Sequence, residues 1–309
     1  MAESSTASTN PIALDLNNPW KRLLPARKAG TAGFEIPFMK TKHAPEVRET
    51  AIHRSVSTLL NRMEKLASRS DRLFSAHLEF TDPRGVTTTL PRFLFTGPGD
   101  RSSFLRVGIF AGIHGDEVSG VLAALDLIQE LHANPAPALG YELFIYPVCN
   151  PWGFSRSARW LKSGADMNRE FWRGSSEIEV LMLEGQLMKL AFDGIIALHA
   201  DDTSEGVYGF AKGHQLTRHV LEPALEAASR HLPRNFDRSI DNFQANMGII
   251  EQGYRGILGA PPTQKPKPFE IVFETPHTAP LEAQIKAHTT AMGTMLERFR
   301  ALISEGQNI

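Results

Sequence analysis

The sequence predicts an α/β protein with a mixed, largely parallel twisted sheet and helices on both faces. Three observations predict this fold class. Short apolar runs rich in β-branched and aromatic residues alternate with longer stretches whose apolar residues recur at helical spacing. One such helical stretch separates the runs 104–111 and 141–148, as in a crossover between parallel strands. Several runs also end on polar residues, at the sheet edge where α/β proteins usually carry their sites.

The predicted elements follow one another along most of the chain. A helical stripe covers 46–68, and alternating runs over 72–80 and 85–95 predict an antiparallel pair of strands. We further predict strands at 104–111, 141–148, 194–200, 207–211 and 269–273, and helices at 118–132, 175–192, 215–230 and 281–303. Scattered glycines and prolines at 233–267 predict a long loop, and such loops commonly line a substrate cleft.

Length and composition predict one large globular domain. The chain has 309 residues, of which 42% are hydrophobic and 22% are charged. We predict an irregular N-terminal segment at 1–42 and a single domain at 43–309, with the catalytic motifs between 104 and 276. The formal net charge of −1 gives no electrostatic indication of a nucleic-acid partner. Because the chain starts without a signal peptide and has no apolar run of about 20 residues, we expect a cytoplasmic protein without a membrane partner.

The six residues from Gly112 to Glu117 directly follow the predicted strand 104–111 and are the centre of the functional prediction. Three residues apart on a starting helical turn, His114 and Glu117 can face the same way. An imidazole and a carboxylate can hold two positions of a tetrahedral zinc ion, which leaves room for another histidine and a water. The same spacing occurs at His43 with Glu46 and at His219 with Glu222, but neither pair follows a predicted strand.

Two further strand ends carry candidate residues for the same site. His199 closes the run 194–198, and two histidines with one glutamate form a known type of catalytic zinc site. Glu274 ends the last predicted strand, where burial could raise its pKa and suit it to proton transfer. Glu270, four residues earlier, is the rival carboxylate, and we prefer Glu274 because it stands at the mouth of the sheet.

Polar residues in the loop after the second parallel strand suggest substrate contacts. Asn168 and Arg169 could clamp a substrate carboxylate, because an arginine offers two parallel hydrogen bonds to it. Arg159 could stabilise a developing oxyanion, and Asp166 could hold the far nitrogen of a zinc histidine. The single cysteine, Cys149, leaves a cysteine hydrolase as an alternative, although a small buried residue is the simpler interpretation.

Taken together, these motifs resemble the M14-type zinc carboxypeptidases and their relatives, the succinylglutamate desuccinylases and aspartoacylases. The resemblance covers 104–276 through HGDE at His114, NPWGF at Asn150, DMNR at Asp166, LH at His199 and ETP at Glu274. It implies a phosphorylase/hydrolase-like fold and one zinc ion as cofactor. It also implies roles for particular residues: zinc ligands His114, Glu117 and His199, general base and acid Glu274, oxyanion partner Arg159, substrate-carboxylate contacts Asn168 and Arg169, and Asp166 behind His114. A tyrosine that covers the substrate is implied too, and Tyr208 or Tyr254 could serve.

The implied reaction is hydrolysis of an amide bond beside a free carboxylate, with a small peptide as the substrate. NPWGF, DMNR and a chain that ends one helix after Glu274 favour a carboxypeptidase-like enzyme. HGDE and its short spacing to His199 favour the alternative, an N-acyl amino acid deacylase. A non-catalytic metal- or carboxylate-binding protein is the alternative of another class, and the presence of Glu274 and Arg159 argues against it. The sequence does not predict an oligomeric state.

Overall fold

The computed structural model describes residues 54–307 apart from 82–84, 86 and 213. The described helices are α1 (Val56–Ala67), α2 (Val118–Ala133), α3 (Pro151–Phe154), α4 (Ile178–Leu190), α5 (His214–Leu216), α6 (Glu222–Ala228) and α7 (Leu281–Gln307). The described strands are β1 (Leu73–Thr81), β2 (Thr87–Thr96), β3 (Leu105–Phe110), β4 (Tyr141–Tyr146), β5 (Gly194–Asp201), β6 (Tyr208–Ala211), β7 (Ser239–Ile240), β8 (Phe243–Gln244), β9 (Ile249–Ile250) and β10 (Phe269–Pro276). The predicted irregular segment 1–42 and the start of the first predicted helix lie outside the described residues.

Eight strands form one mixed sheet in the order β1-β2-β4-β3-β5-β10-β6-β9. Its centre is parallel, since β3 pairs in parallel with β4 and β5, and β5 pairs in parallel with β10. The antiparallel pair β1–β2 joins this centre through β2 and β4, and β6 lies antiparallel to β10. The predicted α/β class with its largely parallel sheet is confirmed.

Both faces of the sheet centre are covered, and successive residues of β3 show this. Ile109 belongs to a core that includes buried residues of α2 and α7. Phe110 lies on the other face, where its ring stacks on Tyr146 with centroids 4.7 Å apart and meets Phe192, just after α4, at 6.0 Å. Because side chains alternate along a strand, a sheet covered on both faces requires continuous apolar runs. The run Val107–Phe110 is buried throughout for this reason.

The sequence predicted most element positions, and the differences are local. The predicted helix at 215–230 is interrupted, because a π-helical turn at Thr217–Leu221 lies between α5 and α6. The predicted loop at 233–267 contains the β7–β8 hairpin and β9. These strands are two residues long, too short for an alternating pattern to reveal. Among the described residues, no helix is both long and apolar enough to cross a membrane.

Candidate metal centre

The turn between β3 and α2 carries the first two functional side chains. His114 and Glu117 are 3% and 4% exposed, so both are removed from solvent. The amide of Glu117 donates to the carbonyl of His114, which closes the turn. Glu117 is the N-cap of α2 but makes no side-chain capping bond, so its carboxylate is available to the site. The local fold thus directs both side chains to one point at the end of β3.

His199 on β5 completes a group of three buried side chains. Nδ1 of His114 lies 2.5 Å from Glu117 Oε1, and Nδ1 of His199 lies 2.8 Å from Glu117 Oε2. One possible ligand atom from each residue lies within 4.8 Å of the others. Nitrogen and carboxylate donors in a set of three suit zinc with one position open for water or substrate. The donor set therefore fits the predicted metal.

The charges of the three groups are linked. Burial lowers the pKa of His199 and favours the neutral imidazole that metal binding requires. Burial also disfavours charge on His114, but Glu117 and then Asp166 raise its pKa to about 9. Although burial opposes its charge, Glu117 has a pKa well below the usual range because both imidazoles lie against it. A metal ion bound here would displace the proton that these groups share.

Asp166 lies behind His114, on the side away from Glu117. Its Oδ1 is 3.0 Å from Nε2 of His114 and also accepts a hydrogen bond from the amide of Asn168 at 2.9 Å. Burial opposes its charge, yet the contact with His114 and the nearby Arg159 hold the pKa of Asp166 below its usual range. A carboxylate in this position fixes the ring orientation and leaves Nδ1 of His114 directed toward the centre.

Arg159 lies between the two carboxylates of the centre. Its guanidinium donates to Glu117 Oε1 at 3.4 Å and to Asp166 Oδ2 at 3.3 Å. The side chain is 35% exposed, whereas that of Glu117 is 4% exposed. The guanidinium therefore lies where the buried centre opens to solvent.

The side chains of Asn168 and Arg169, which the sequence predicts as a substrate clamp, make different contacts. The amide nitrogen of Asn168 lies 3.4 Å from Nε2 of His199, and its oxygen accepts the amide of Leu258 at 2.8 Å. Both ends of that side chain thus contact the protein. Arg169 donates to the carbonyl of Asn168, and its guanidinium lies 3.9 Å from the ring centroid of Tyr254.

Glu274 and Glu270 occupy different surroundings on β10. Glu274 is half-buried and is the register partner of His199 on β5. Burial, followed by the negative charges of Glu117 and Asp201, raises the pKa of Glu274 well above its ordinary value. Glu270 accepts the amide of Ala260 at 2.6 Å and thereby holds a loop at the other end of the strand. Of the two carboxylates, Glu274 is the one beside the centre.

The two candidate tyrosines also differ. Tyr208 is 1% exposed, and its hydroxyl donates to Asp201 at 2.9 Å. Tyr254 is half-buried, and its hydroxyl donates to the carboxylate of Asp241 at 2.9 Å. Tyr208 is thus packed inside the protein, whereas Tyr254 remains accessible beside Arg169. The sequence analysis did not single out Asp201 or Asp241, which accept hydrogen bonds from these two hydroxyls. No motif marks Asp241. Asp201 lies two residues past His199, so the argument from polar residues at strand ends would have identified it.

The rival sites from the sequence do not assemble in the described part of the chain. His219 lies in the π-helical turn and does not belong to the one potential metal-binding group found among the described residues, while His43 lies outside them. Cys149 is 1% exposed, and its thiol donates to the carbonyl of Tyr146. Burial raises the pKa of the Cys149 thiol, which disfavours the thiolate that a cysteine nucleophile requires.

Comparison with known proteins identifies similar chains. Residues 103–236 match the family model of the succinylglutamate desuccinylase/aspartoacylase catalytic domain; Glu274 lies beyond the matched segment. A presumed metallopeptidase from Shewanella amazonensis SB2B has a similar fold, with 22% identity, a TM-score of 0.65, and 78% of this chain and 90% of that chain covered. No functionally curated protein sequence matches this chain.

Two further solved structures have a similar fold. A metallo-carboxypeptidase from Burkholderia cenocepacia has 17% identity and a TM-score of 0.61, with 80% of this chain and 68% of that chain covered. An aspartoacylase family protein from Mesorhizobium loti has 18% identity and a TM-score of 0.50, with 73% and 68% covered. The predicted resemblance and the fold are confirmed.

Proposed function

Because residues 103–236 match the succinylglutamate desuccinylase/aspartoacylase catalytic domain, we propose that this protein is a zinc-dependent hydrolase that cleaves an amide bond beside a free carboxylate. The proposed substrate is a small peptide, cleaved in the manner of a metallocarboxypeptidase, and the proposed cofactor is one zinc ion. Similarity in fold to metallo-carboxypeptidases is one support. The residues at the centre supply the chemical argument.

The convergence of His114, Glu117 and His199 carries the proposal. These residues come from two separate strand ends, yet their donor atoms lie within 4.8 Å of one another in a buried position. Three buried polar side chains of this kind are the donor set of a catalytic zinc site. A zinc ion held there supplies Lewis-acid polarisation of the substrate carbonyl and makes water more acidic.

Glu274 is the proposed proton carrier. Its half-buried carboxylate lies beside His199, and its raised pKa lets it hold a proton during turnover. It accepts a proton from the attacking water as the oxygen adds to the carbonyl carbon. When the C–N bond breaks, Glu274 gives that proton to the leaving nitrogen. The carboxylate is thereby returned to its starting state.

Arg159 and Asp166 have complementary proposed roles at the same centre. Addition of water places negative charge on the carbonyl oxygen, and the half-exposed guanidinium of Arg159 can approach this oxygen. Asp166 keeps the ring of His114 in place through its 3.0 Å contact with Nε2. Arg159 already contacts Glu117 and Asp166, which orients it before the substrate arrives.

Arg169 is the proposed contact for the free carboxylate of the substrate. Its guanidinium is stacked on Tyr254, and a planar guanidinium can donate two parallel hydrogen bonds to a carboxylate. We assign Asn168 a supporting position, because its amide group already contacts His199 and the amide of Leu258. Tyr254, beside Arg169, is a better candidate than the buried Tyr208 to cover a substrate.

An N-acyl amino acid deacylase is the second candidate, and the family match over 103–236 favours it. Both candidates use the same centre and both substrates present a carboxylate, so they differ in what lies on the far side of the amide bond. A metal- or carboxylate-binding protein without turnover would have no use for a proton carrier at Glu274. For this reason we place it third.

Metal analysis and a matched substrate panel test the proposal. The panel contains short peptides with a free C-terminal carboxylate, the same peptides as C-terminal amides, and N-acyl amino acids. We expect bound zinc, loss of hydrolysis on chelation, recovery with added zinc, and no cleavage of the amidated peptides. Release of acyl groups alone would replace the peptidase assignment with the deacylase.

A pair of histidine variants provides the control for this test. His199→Ala should lose both zinc and hydrolysis. His132→Ala, at an exposed position in the last turn of α2, should keep both. Hydrolysis by metal-free protein at the rate of the zinc-loaded protein would overturn the proposed function.

A further inference from the structure

Arg54, just before α1, reaches the turn that carries the proposed metal ligands. Its NH1 donates to the carbonyl of Gly115 at 2.8 Å, although 61 positions separate the two residues. Gly115 lies between His114 and Glu117 in the sequence and is buried. The half-buried guanidinium thus contacts the backbone of the ligand turn directly.

The same guanidinium also contacts the segment on which this turn rests. The Arg54 Cζ lies 5.3 Å from the ring centroid of Phe154, at the end of α3. Gly115 is packed so closely there that a Cβ on it would overlap the backbone of Gly153 and Phe154. Arg54 therefore contacts both of two closely packed segments, through the carbonyl of Gly115 and the ring of Phe154.

The turn is also held by side-chain contacts of His114 with Asp166 and of Glu117 with Arg159 and His199. Its backbone bonds run from Glu117 to His114 and from Val118 to Asp116, and Glu117 makes no capping bond with its side chain. A buried carbonyl needs a hydrogen-bond partner, and a charged donor makes a stronger bond than a neutral one. For the carbonyl of Gly115, Arg54 supplies this charged donor.

We propose that Arg54 is a positioning residue that holds the His114–Glu117 turn in the geometry required for metal binding. The inference rests on the proposed function, because the metal-binding role of His114 and Glu117 belongs to that proposal. Residue 54 lies outside the matched catalytic segment 103–236. The part of the chain before α1 therefore supplies a contact that the catalytic segment does not contain.

Three full-length variants test this role: Arg54→Met, Arg54→Lys and the control Arg69→Met, which removes an exposed arginine just beyond the other end of α1. Amide hydrogen exchange over residues 112–118 is measured in the metal-free proteins. Zinc affinity is measured by competition with a chelating dye. Thermal unfolding of each metal-free protein records the change in general stability.

We expect faster exchange over 112–118 in Arg54→Met and a zinc affinity weaker by about 10-fold or more, the usual scale for a residue that supports metal ligands. Arg54→Lys should recover much of both, because an ammonium can still donate to the Gly115 carbonyl. Arg69→Met should match the parent. If Arg54 only stabilises the fold in general, Arg54→Met should have a lower unfolding temperature without selectively faster amide exchange at 112–118.

Unchanged exchange over 112–118 in Arg54→Met would overturn the inference, whatever the zinc measurements give. Faster exchange together with unchanged zinc affinity would also overturn it, since the turn would then move without consequence for the ligands. A parent protein that binds no zinc would count against the proposed function, and the exchange data would still decide whether Arg54 holds the turn. Failure of the proposed function and failure of the Arg54 inference therefore give different results.

Discussion

His199 and Glu274 are register partners on the parallel strands β5 and β10. Directly paired residues of neighbouring strands project from the same face of a sheet, so the imidazole and the carboxylate share one face. One is a proposed metal ligand and the other is the proposed proton carrier. The hydrogen-bonding register of two strands thus fixes the spacing between these two groups.

Replacement of Glu274 with glutamine should remove turnover and leave the metal in place. The amide preserves size but cannot carry the proton, so we expect kcat to fall by roughly 10²- to 10⁴-fold. Zinc content and initial rates on one preparation check this. Glu270→Gln is the matched control on the same strand, because its amide oxygen can still accept from Ala260. Equal rates for Glu274→Gln and the parent would remove Glu274 from the mechanism.

Asp166→Asn should weaken zinc binding. The negative charge of Asp166 supports His114 from behind at 3.0 Å, and loss of such a partner commonly costs about 10- to 100-fold in metal affinity. Competition with a chelating dye measures the change. Asp202→Asn removes a carboxylate from an exposed position and should bind zinc as the parent does. If both variants bind zinc equally well, Asp166 does not support the ligand.

The two tyrosines should respond differently to substitution. Tyr254→Leu removes the aromatic ring 3.9 Å from the Arg169 guanidinium, so we expect a higher KM with a smaller change in kcat. Tyr208→Phe removes a partly buried hydrogen bond to the Asp201 carboxylate, so we expect a loss of about 1–2 kcal/mol in the free energy of unfolding. Steady-state kinetics and urea unfolding of both variants separate the effects. A higher KM for Tyr208→Phe, with only a stability loss for Tyr254→Leu, would favour Tyr208 as the substrate contact.

Cys149 should be dispensable for catalysis. Its thiol is buried and its raised pKa disfavours the thiolate, so a thiol reagent should leave the activity of the folded enzyme unchanged. Cys149→Ala should keep activity, with a modest loss of stability from the smaller side chain. A chelator should abolish hydrolysis in the same assay. Inhibition by the thiol reagent of the parent, but not of Cys149→Ala, would contradict this expectation.

The carboxylates of Asp126 and Glu130 lie one helical turn apart on α2 and provide a test of pH dependence. Burial raises the pKa of Glu130, and the charge of Asp126 raises it further. The folded protein thus binds this proton more tightly than the unfolded chain, and stability falls as the pH rises from the unfolded pKa through the raised one. Glu130→Gln should therefore stabilise the protein at neutral pH by about 0.2–0.5 kcal/mol, and the gain should vanish near pH 3.

Urea unfolding of the parent and Glu130→Gln at both pH values measures this difference. Glu282 is the matched control, because its bond to Lys286 at 2.7 Å lowers its pKa. Its stabilising contribution is present above the unfolded pKa and is lost as the pH falls through the lowered one. Glu282→Gln should therefore destabilise the protein slightly at neutral pH. If Glu130→Gln still increases the free energy of unfolding at low pH, the negative charge of Glu130 is not the cause of the gain.

The sequence by itself determined most of the elements and which polar residues end the central strands. Hydrophobic periodicity reports the buried face of each element, and a parallel sheet brings the carboxyl ends of its strands to one edge. Those two rules predicted that His114, Glu117 and His199 would meet. They also favoured Glu274 over Glu270 without knowledge of any contact.

Only the tertiary structure decided what each side chain contacts. Asn168 lies between His199 and Leu258, Tyr208 is enclosed while Tyr254 is accessible, and Arg54 reaches Gly115 from outside the motifs. Periodicity describes one element at a time, whereas these contacts join loops that are distant in sequence. Their geometry depends on how the loops pack against one another at the sheet edge, which no local pattern records.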